Sequence, residues 1–176
     1  SPFDLNMYYE KVPPEPVSVR TPALRNMHIS DVTVKGAPAA GFVLGLPEMP
    51  VENVTFSNID IEAEKGFSCT DARGIAFRNC RIDTKRGPAL ICENIDGLQI
   101  EGFQTLAPHD DAAAMDLKNV RDAYVRGCRA PAGTQTFLRL QGPNSRDILL
   151  QGNDLKRASA AVKAEEDVPA SSVIQQ

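Results

Sequence analysis

The chain has 176 residues, 42% of them hydrophobic, which is enough for one domain with a sizeable core. A net charge of −4 without any basic stripe excludes the electrostatic footprint of a nucleic-acid binder. No apolar run reaches the roughly 18 residues of a membrane-spanning helix, and no signal-peptide pattern opens the sequence.

In chain order, Phe3 and Leu5 have the alternation of an inward-facing strand and form a partial first coil. The stretch Asn6 to Pro16 is polar and Pro-rich, so residues 1–24 combine that partial coil with an extended excursion. From residue 25 a repeat begins. Met27 to Val34 is a short strand, a polar corner at Asp31 and a second short strand, and the unit returns with corners at Asn58, Asn79, Gly102, Gly127 and Gly152. Those corners lie 27, 21, 23, 25 and 25 residues apart. A third strand follows each unit, with inward candidates Phe42/Leu44, Phe67/Cys69, Leu90/Cys92, Met115/Leu117, Leu138/Leu140 and Val162/Ala164. A second polar corner recurs at Asp71, Asn94 and Asn119.

Three short strands cannot bury their apolar sides within one turn, so each coil must be covered by the next. Asn, Asp and Gly suit the corners because they tolerate left-handed φ, and asparagines in successive coils can bond one another. An antiparallel sandwich also has frequent turns, but it does not account for a fixed three-strand unit with aligned corners. The predicted fold is all-β: a right-handed, single-stranded parallel β-helix with three short strands per coil and about six coils, spanning 25–164. Residues 165–176 form a polar tail, expected to be frayed or a loose cap, in which Glu165-Glu166-Asp167 is a solvated turn. The apolar residues Phe3 and Leu5 call for upstream coils or a partner subunit against the first coil, so the chain is expected to be an excerpt of a longer protein.

The outward residues at the centre of the third strand run Asp4, Val43, Ser68, Ile91, Asp116, Arg139 and Lys163. An inverting glycosidase needs two carboxyls roughly 6.5–9.5 Å apart. Asp4 and Asp116 stand four coil steps apart, about 19 Å at the spacing of adjacent strands. Asp116 and Arg139 instead form an expected cross-strand ion pair on an exposed face, with a sugar-acid contact through Arg139 and Lys163 as the alternative. Cys69 and Cys92 share one inward column, and Cys80 and Cys128 another. Stacked inward thiols suit core packing, with a Cys69–Cys92 disulfide as the alternative. His28 on a strand and His109 in a turn lack any Cys or second His at ligand spacing, so no metal site is expected.

Thr21-Pro22 followed by Arg25 to Gly36, Ala40-Gly41-Phe42-Val43-Leu44-Gly45-Leu46-Pro47, and Val51 to Ile59 together resemble the C-terminal coils of glycoside hydrolase family 28. These are the polygalacturonases and related pectin hydrolases, whose pectin lyase-like fold is a parallel β-helix. The resemblance covers residues 1–90 and passes into generic β-helix pattern beyond. It implies an inverting hydrolase of α-galacturonosyl linkages, secreted or periplasmic, with pectic poly- or oligosaccharide as partner and no cofactor. The family's Asn-Thr-Asp, Asp-Asp, Gly-His-Gly and Arg-Ile-Lys motifs do not occur here in their context. Arg81-Ile82-Asp83 stands away from the groove strand, and His109-Asp110-Asp111 is in a turn without its neighbours. The resemblance therefore places the catalytic carboxylates upstream of Ser1 and leaves this segment alone inactive. It carries one substrate-contacting tyrosine onto Tyr9, with Tyr8 next, a role that suits a ring face against sugar C–H groups. The competing reading is a non-catalytic β-helix module for carbohydrate binding or assembly.

Overall fold

A computed structural model describes residues 1–8, 16–18 and 21–176. Nine strands are present among them: β1 (Asp4–Asn6), β2 (Arg25–Leu44), β3 (Val51–Thr84), β4 (Leu90–Glu101), β5 (Met115–Arg126), β6 (Thr136–Gln141), β7 (Arg146–Gln151), β8 (Ala160–Ala164) and β9 (Val173–Gln175). Every pairing between them is parallel. The order runs β1-β2-β3-β4-β5-β6-β8, with β7 on β5 and β9 on β7. This is a β-solenoid of about six stacked turns, without a helix among the described residues.

The long strands bend at left-handed corners. Asp31, Asn58, Asn79, Gly102, Gly127 and Gly152 have φ of 61°, 53°, 50°, 64°, 60° and 60°, and Asp71, Asn94 and Asn119 have 52°, 56° and 51°. Both corner series match the sequence reading. A third series, Asn26, Asn53, Gly74, Gly97, Asp122 and Asp147, is also left-handed. Its members repeat with the same spacing as the first, a signal that apolar alternation does not reveal. Side-chain amides stack along these corners with one polarity, each donating to the coil before it. Asn79 donates to Asn58 at 2.9 Å and Asn58 to Asp31 at 3.0 Å. Asn119 donates to Asn94 at 3.4 Å, Asn94 to Asp71 at 3.0 Å and Asn53 to Asn26 at 3.2 Å.

Inside, columns of like residues run the length of the stack. Phe67, Leu90, Met115 and Leu138 form one, and Ile75, Leu98, Ala123 and Ile148 another, all buried. Burying each large side chain contributes about 1.5–3 kcal/mol. The first coils hold an aromatic cluster in which Phe56 stacks on Phe77 at 5.2 Å and meets Phe67 edge-on at 4.9 Å and Phe3 at 5.5 Å. All four cysteines are free and buried.

One stretch of the predicted core is in the wrong register. The alternation assigns Phe42 and Leu44 inward and Val43 outward, but Val43 is buried and pairs with inward Cys69, while Phe42 pairs with outward Ser68. The pairing slips by one residue at Gly36: Lys35 faces Glu62, yet Ala37 faces Ala63. Gly41 thereby takes the inward position beside Phe67. A Cβ on Gly41 would stand 2.5 Å from the Phe67 ring and 3.0 Å from the Phe3 Cβ, so two neighbouring phenylalanines already occupy its share of the core.

The tail is a further correction, because it continues the solenoid rather than fraying. Ile148, Leu149 and Leu150 of β7 pair with Val173, Ile174 and Gln175 of β9, and Val168 and Ser172 are buried. Buried Ser172 lies against buried Ser145, and its hydroxyl donates to the Ser145 carbonyl at 2.6 Å, so its polar group is not orphaned.

Candidate functional site

The third strand of each coil builds a continuous outward face, β1 to β8, with two rows of side chains. The first row is Asp4, Phe42, Ser68, Ile91, Asp116, Arg139 and Lys163. Asn6, Leu44, Thr70, Glu93, Lys118 and Gln141 form the second. Register makes Phe42, not Val43, the member of the first row.

The two halves of this face differ in chemistry. Towards β1 it mixes apolar with small polar side chains, and Asp4 is its one charge. Phe42 and Leu44 are half-buried, Ile91 is 37% exposed, Asn6, Ser68 and Thr70 lie between them, and Tyr8 is 43% exposed just beyond Asn6. The Tyr8 backbone N–H donates to the Asn6 side chain at 2.9 Å. Towards β8 the face is an ion-pair lattice. Lys118 meets Glu93 at 2.8 Å, Arg139 meets Asp116 at 3.7 Å and Glu165 at 2.8 Å, and Gln141 donates to Asp116 at 2.6 Å. The hydrogen bond and charge of Glu93 hold the Lys118 ammonium above its ordinary range.

The expected Asp116–Arg139 pair is present, but Arg139 is held more closely by Glu165. The acidic run is therefore not merely a solvated turn. Glu165 also lies 4.0 Å from Lys163, and Asp167 accepts from the Gly142 N–H at 3.0 Å. With these cations neutralised, a sugar carboxylate would have to displace Glu165 to reach Arg139.

Of the two tyrosines, Tyr8 follows β1 at the β1 end of this face, whereas Tyr9 lies outside the described residues. Asp4 is exposed, and its nearest carboxylate along the row is Asp116, four coil steps on. About 19 Å separates two strands four steps apart, well beyond the gap that inverting hydrolysis requires.

Elsewhere the nucleophile chemistry is weak. Burial pushes the Cys80 and Cys128 thiols up to about 11, and those of Cys69 and Cys92 well above the ordinary range, so all four stay protonated. His28 is exposed with Nε2 2.8 Å from Ser57 Oγ, but Asp31, the acid beside it, is engaged by Ser30 and Asn58. Those two hydrogen bonds hold the Asp31 carboxyl below its usual value. His109 is not simply a turn residue. It is 3% exposed, and its Nε2 has no hydrogen-bond partner. Burial pulls its pKa below the ordinary value, against a backbone hydrogen bond to Gly87 and the charges of Asp111, Asp83 and Asp110. Among the described residues no group of three His, Cys, Asp or Glu is placed to hold a metal.

Phe42 and Glu165 are the members of this candidate face that sequence reasoning misses. Nothing local marks either: Phe42 depends on the slip at Gly36, and Glu165 on a β6–β8 register set across 26 residues. No known protein family, curated protein or solved structure matches this chain.

Proposed function

We propose that this chain forms the distal coils of a polygalacturonase-like glycoside hydrolase acting on the α-galacturonosyl linkages of pectin, secreted or periplasmic, with its catalytic carboxylates upstream of Ser1. The observation that carries the reading is the ordered resemblance running from Thr21-Pro22 through Ile59, on a chain whose fold is a β-solenoid. The open face led by Tyr8, Phe42 and Asp4 supports it. Aromatic and apolar surface at that end suits the C–H faces of a sugar ring, and the charged end gives the groove a closed, self-neutralised wall. In this arrangement the segment extends a binding groove and leaves the chemistry to earlier coils.

A second reading, a non-catalytic module for carbohydrate binding or assembly, draws on the ion pairing of this face, where Glu93, Asp116 and Glu165 are each held by Lys118 or Arg139. The residues encoded immediately before Ser1 separate the two. Asn-Thr-Asp, Asp-Asp, Gly-His-Gly and Arg-Ile-Lys in that order are expected, and an unrelated domain there would sink the hydrolase reading. Incubated alone with polygalacturonate, the 176-residue chain is expected to release no reducing sugar. Clear turnover would overturn the assignment of the carboxylates to upstream coils.

A further inference from the structure

The strand of each coil that follows the third corner series carries its own outward rows, and these break pattern in the middle of the stack. One row runs Ala76, Gln99, Tyr124, Leu149 and Ile174, and its neighbour runs Arg78, Glu101, Arg126 and Gln151. Tyr124 is the only aromatic side chain in either row. On one side of it Asp122 and Asp147 keep side chains at the corners of its own and the next coil, but Gly97 and Gly74 on the two coils before have none, and on the other side Gly102, Gly127 and Gly152 have none. At these five glycines the stacked amides that fill corners elsewhere give way to bare backbone. A depression of about 360 Å³ consequently opens between Arg78, Gln99 and Tyr124, and one of about 440 Å³ between Tyr124, Arg126 and Gln151.

We propose that this face is a glycan-binding site in which Tyr124 is the stacking platform and Arg78, Gln99, Arg126 and Gln151 hold the hydroxyls on either side. The groups are already oriented by one another. The Tyr124 hydroxyl donates to Gln151, the Arg126 guanidinium lies 5.5 Å from the centre of the Tyr124 ring, and Arg126 meets Glu101 at 2.8 Å. Arg78 donates to the Gln99 amide at 3.0 Å, so its partner is a neutral group that a ligand can replace without stranding a charge. Such preorganisation lowers the entropic cost of binding.

The chemistry selects the ligand class. Arg78 and Arg126 are balanced by Glu101 and by Asp122, which lines the first depression. A balanced face excludes a polyanion such as a nucleic acid. A stable protein interface needs roughly 800 Å² on each partner with an apolar centre. The side chains that line the two depressions with Tyr124 are instead largely polar, Arg78, Gln99, Asp122, Glu101, Arg126 and Gln151 among them, with the apolar Leu149 and Ile174 one and two coils beyond. A polyhydroxylated chain fits instead: its C–H faces stack on an aromatic ring, and planar amides and guanidinium groups bond adjacent hydroxyls. Gln99 to Gln151 spans two coil steps, on the order of 10 Å, which is oligosaccharide rather than monosaccharide scale. The site lies on a different strand of the coil from the Tyr8 and Phe42 face, and it stands whether or not the pectin reading does.

The test is isothermal titration of the 176-residue chain with trigalacturonate and, separately, with the neutral oligosaccharides cellotriose and xylotriose. Saturable binding of at least one probe is expected. It should weaken by roughly tenfold or more in Tyr124→Ala and in Arg78→Ala. Tyr124→Phe should keep most of the affinity, because the ring and not the hydroxyl carries the stacking. Lys156→Ala, in an exposed turn that belongs to neither face, should leave it unchanged, and urea midpoints report whether each variant is folded. The acidic and neutral probes decide whether a carboxylate on the sugar is tolerated or preferred. No binding of any probe would overturn the proposal. So would binding indifferent to the Tyr124 and Arg78 substitutions.

Discussion

Asn58 does three things at one corner: it holds φ at 53°, accepts from Asn79 and donates to Asp31. Replacing it by Ala removes both side-chain bonds and imposes about 1–2 kcal/mol for a left-handed backbone. Gly at the same position loses the bonds alone. The urea midpoint should therefore fall further for Asn58→Ala than for Asn58→Gly, and equal falls would show that the amide ladder outweighs the backbone conformation. His109 sets a pH dependence of definite sign. Its folded pKa is depressed by burial, so the unfolded chain takes up the proton first as pH falls. This residue costs no stability above the unfolded value near 6.5, and stability is lost as pH descends from there towards the folded value. His109→Gln should flatten the urea midpoint over that window relative to the parent, and an unchanged slope would exclude His109 as its source.

At the scale of elements, a one-residue slip changes which side chains meet solvent. The shift at Gly36 exchanges Phe42 for Val43 without altering the strand as a strand, because the side-chain period is two. The tail shows the same dependence on partners. Residues 165–176 are polar in sequence, yet β9 covers β7, Glu165 anchors Arg139 and Val168 is buried. Truncation after Ala164 should lower stability by a few kcal/mol, the order expected from uncovering Ile148 and Leu150 and losing Val168. Equilibrium urea unfolding of the two lengths checks this. Identical midpoints would return the tail to a loose appendage.

The whole molecule is a stack, and a stack has two ends. Met27, Ile29, Val32 and Val34 are half-buried, whereas their register partners Val54, Phe56, Ile59 and Ile61 one coil later are fully buried. Among the described residues nothing covers β2 from Arg25 to Lys35 on its outer side. Unpaired parallel edges with apolar columns behind them recruit further strands. The isolated chain should therefore associate with increasing concentration in sedimentation velocity, and Ile29→Lys should shift it towards monomer. A parent that stays monomeric throughout would show that this end is already covered.

What the sequence by itself determined is what local rules control. Only Asn, Asp and Gly sit comfortably at a left-handed corner, so the corners at Asp31, Asn58, Asn79, Gly102, Gly127 and Gly152 were legible from residue type and spacing alone. Alternation between those corners then gave Val54, Phe56, Ile59 and Ile61 as core, and with them the solenoid. The third corner series, Asn26 to Asp147, carried the same spacing but sits beside residues with no strong alternation. Tertiary structure alone decided the rest. Gly41 is inward because Phe67 and Phe3 fill its place, and Glu165 joins the β1–β8 face because the stack brings Arg139 beside it. Tyr124 faces two hollows because distant glycines happen to align. Each of these depends on which coil lies next to which. That adjacency is set by packing between residues more than 20 positions apart, and no single turn of the chain encodes it.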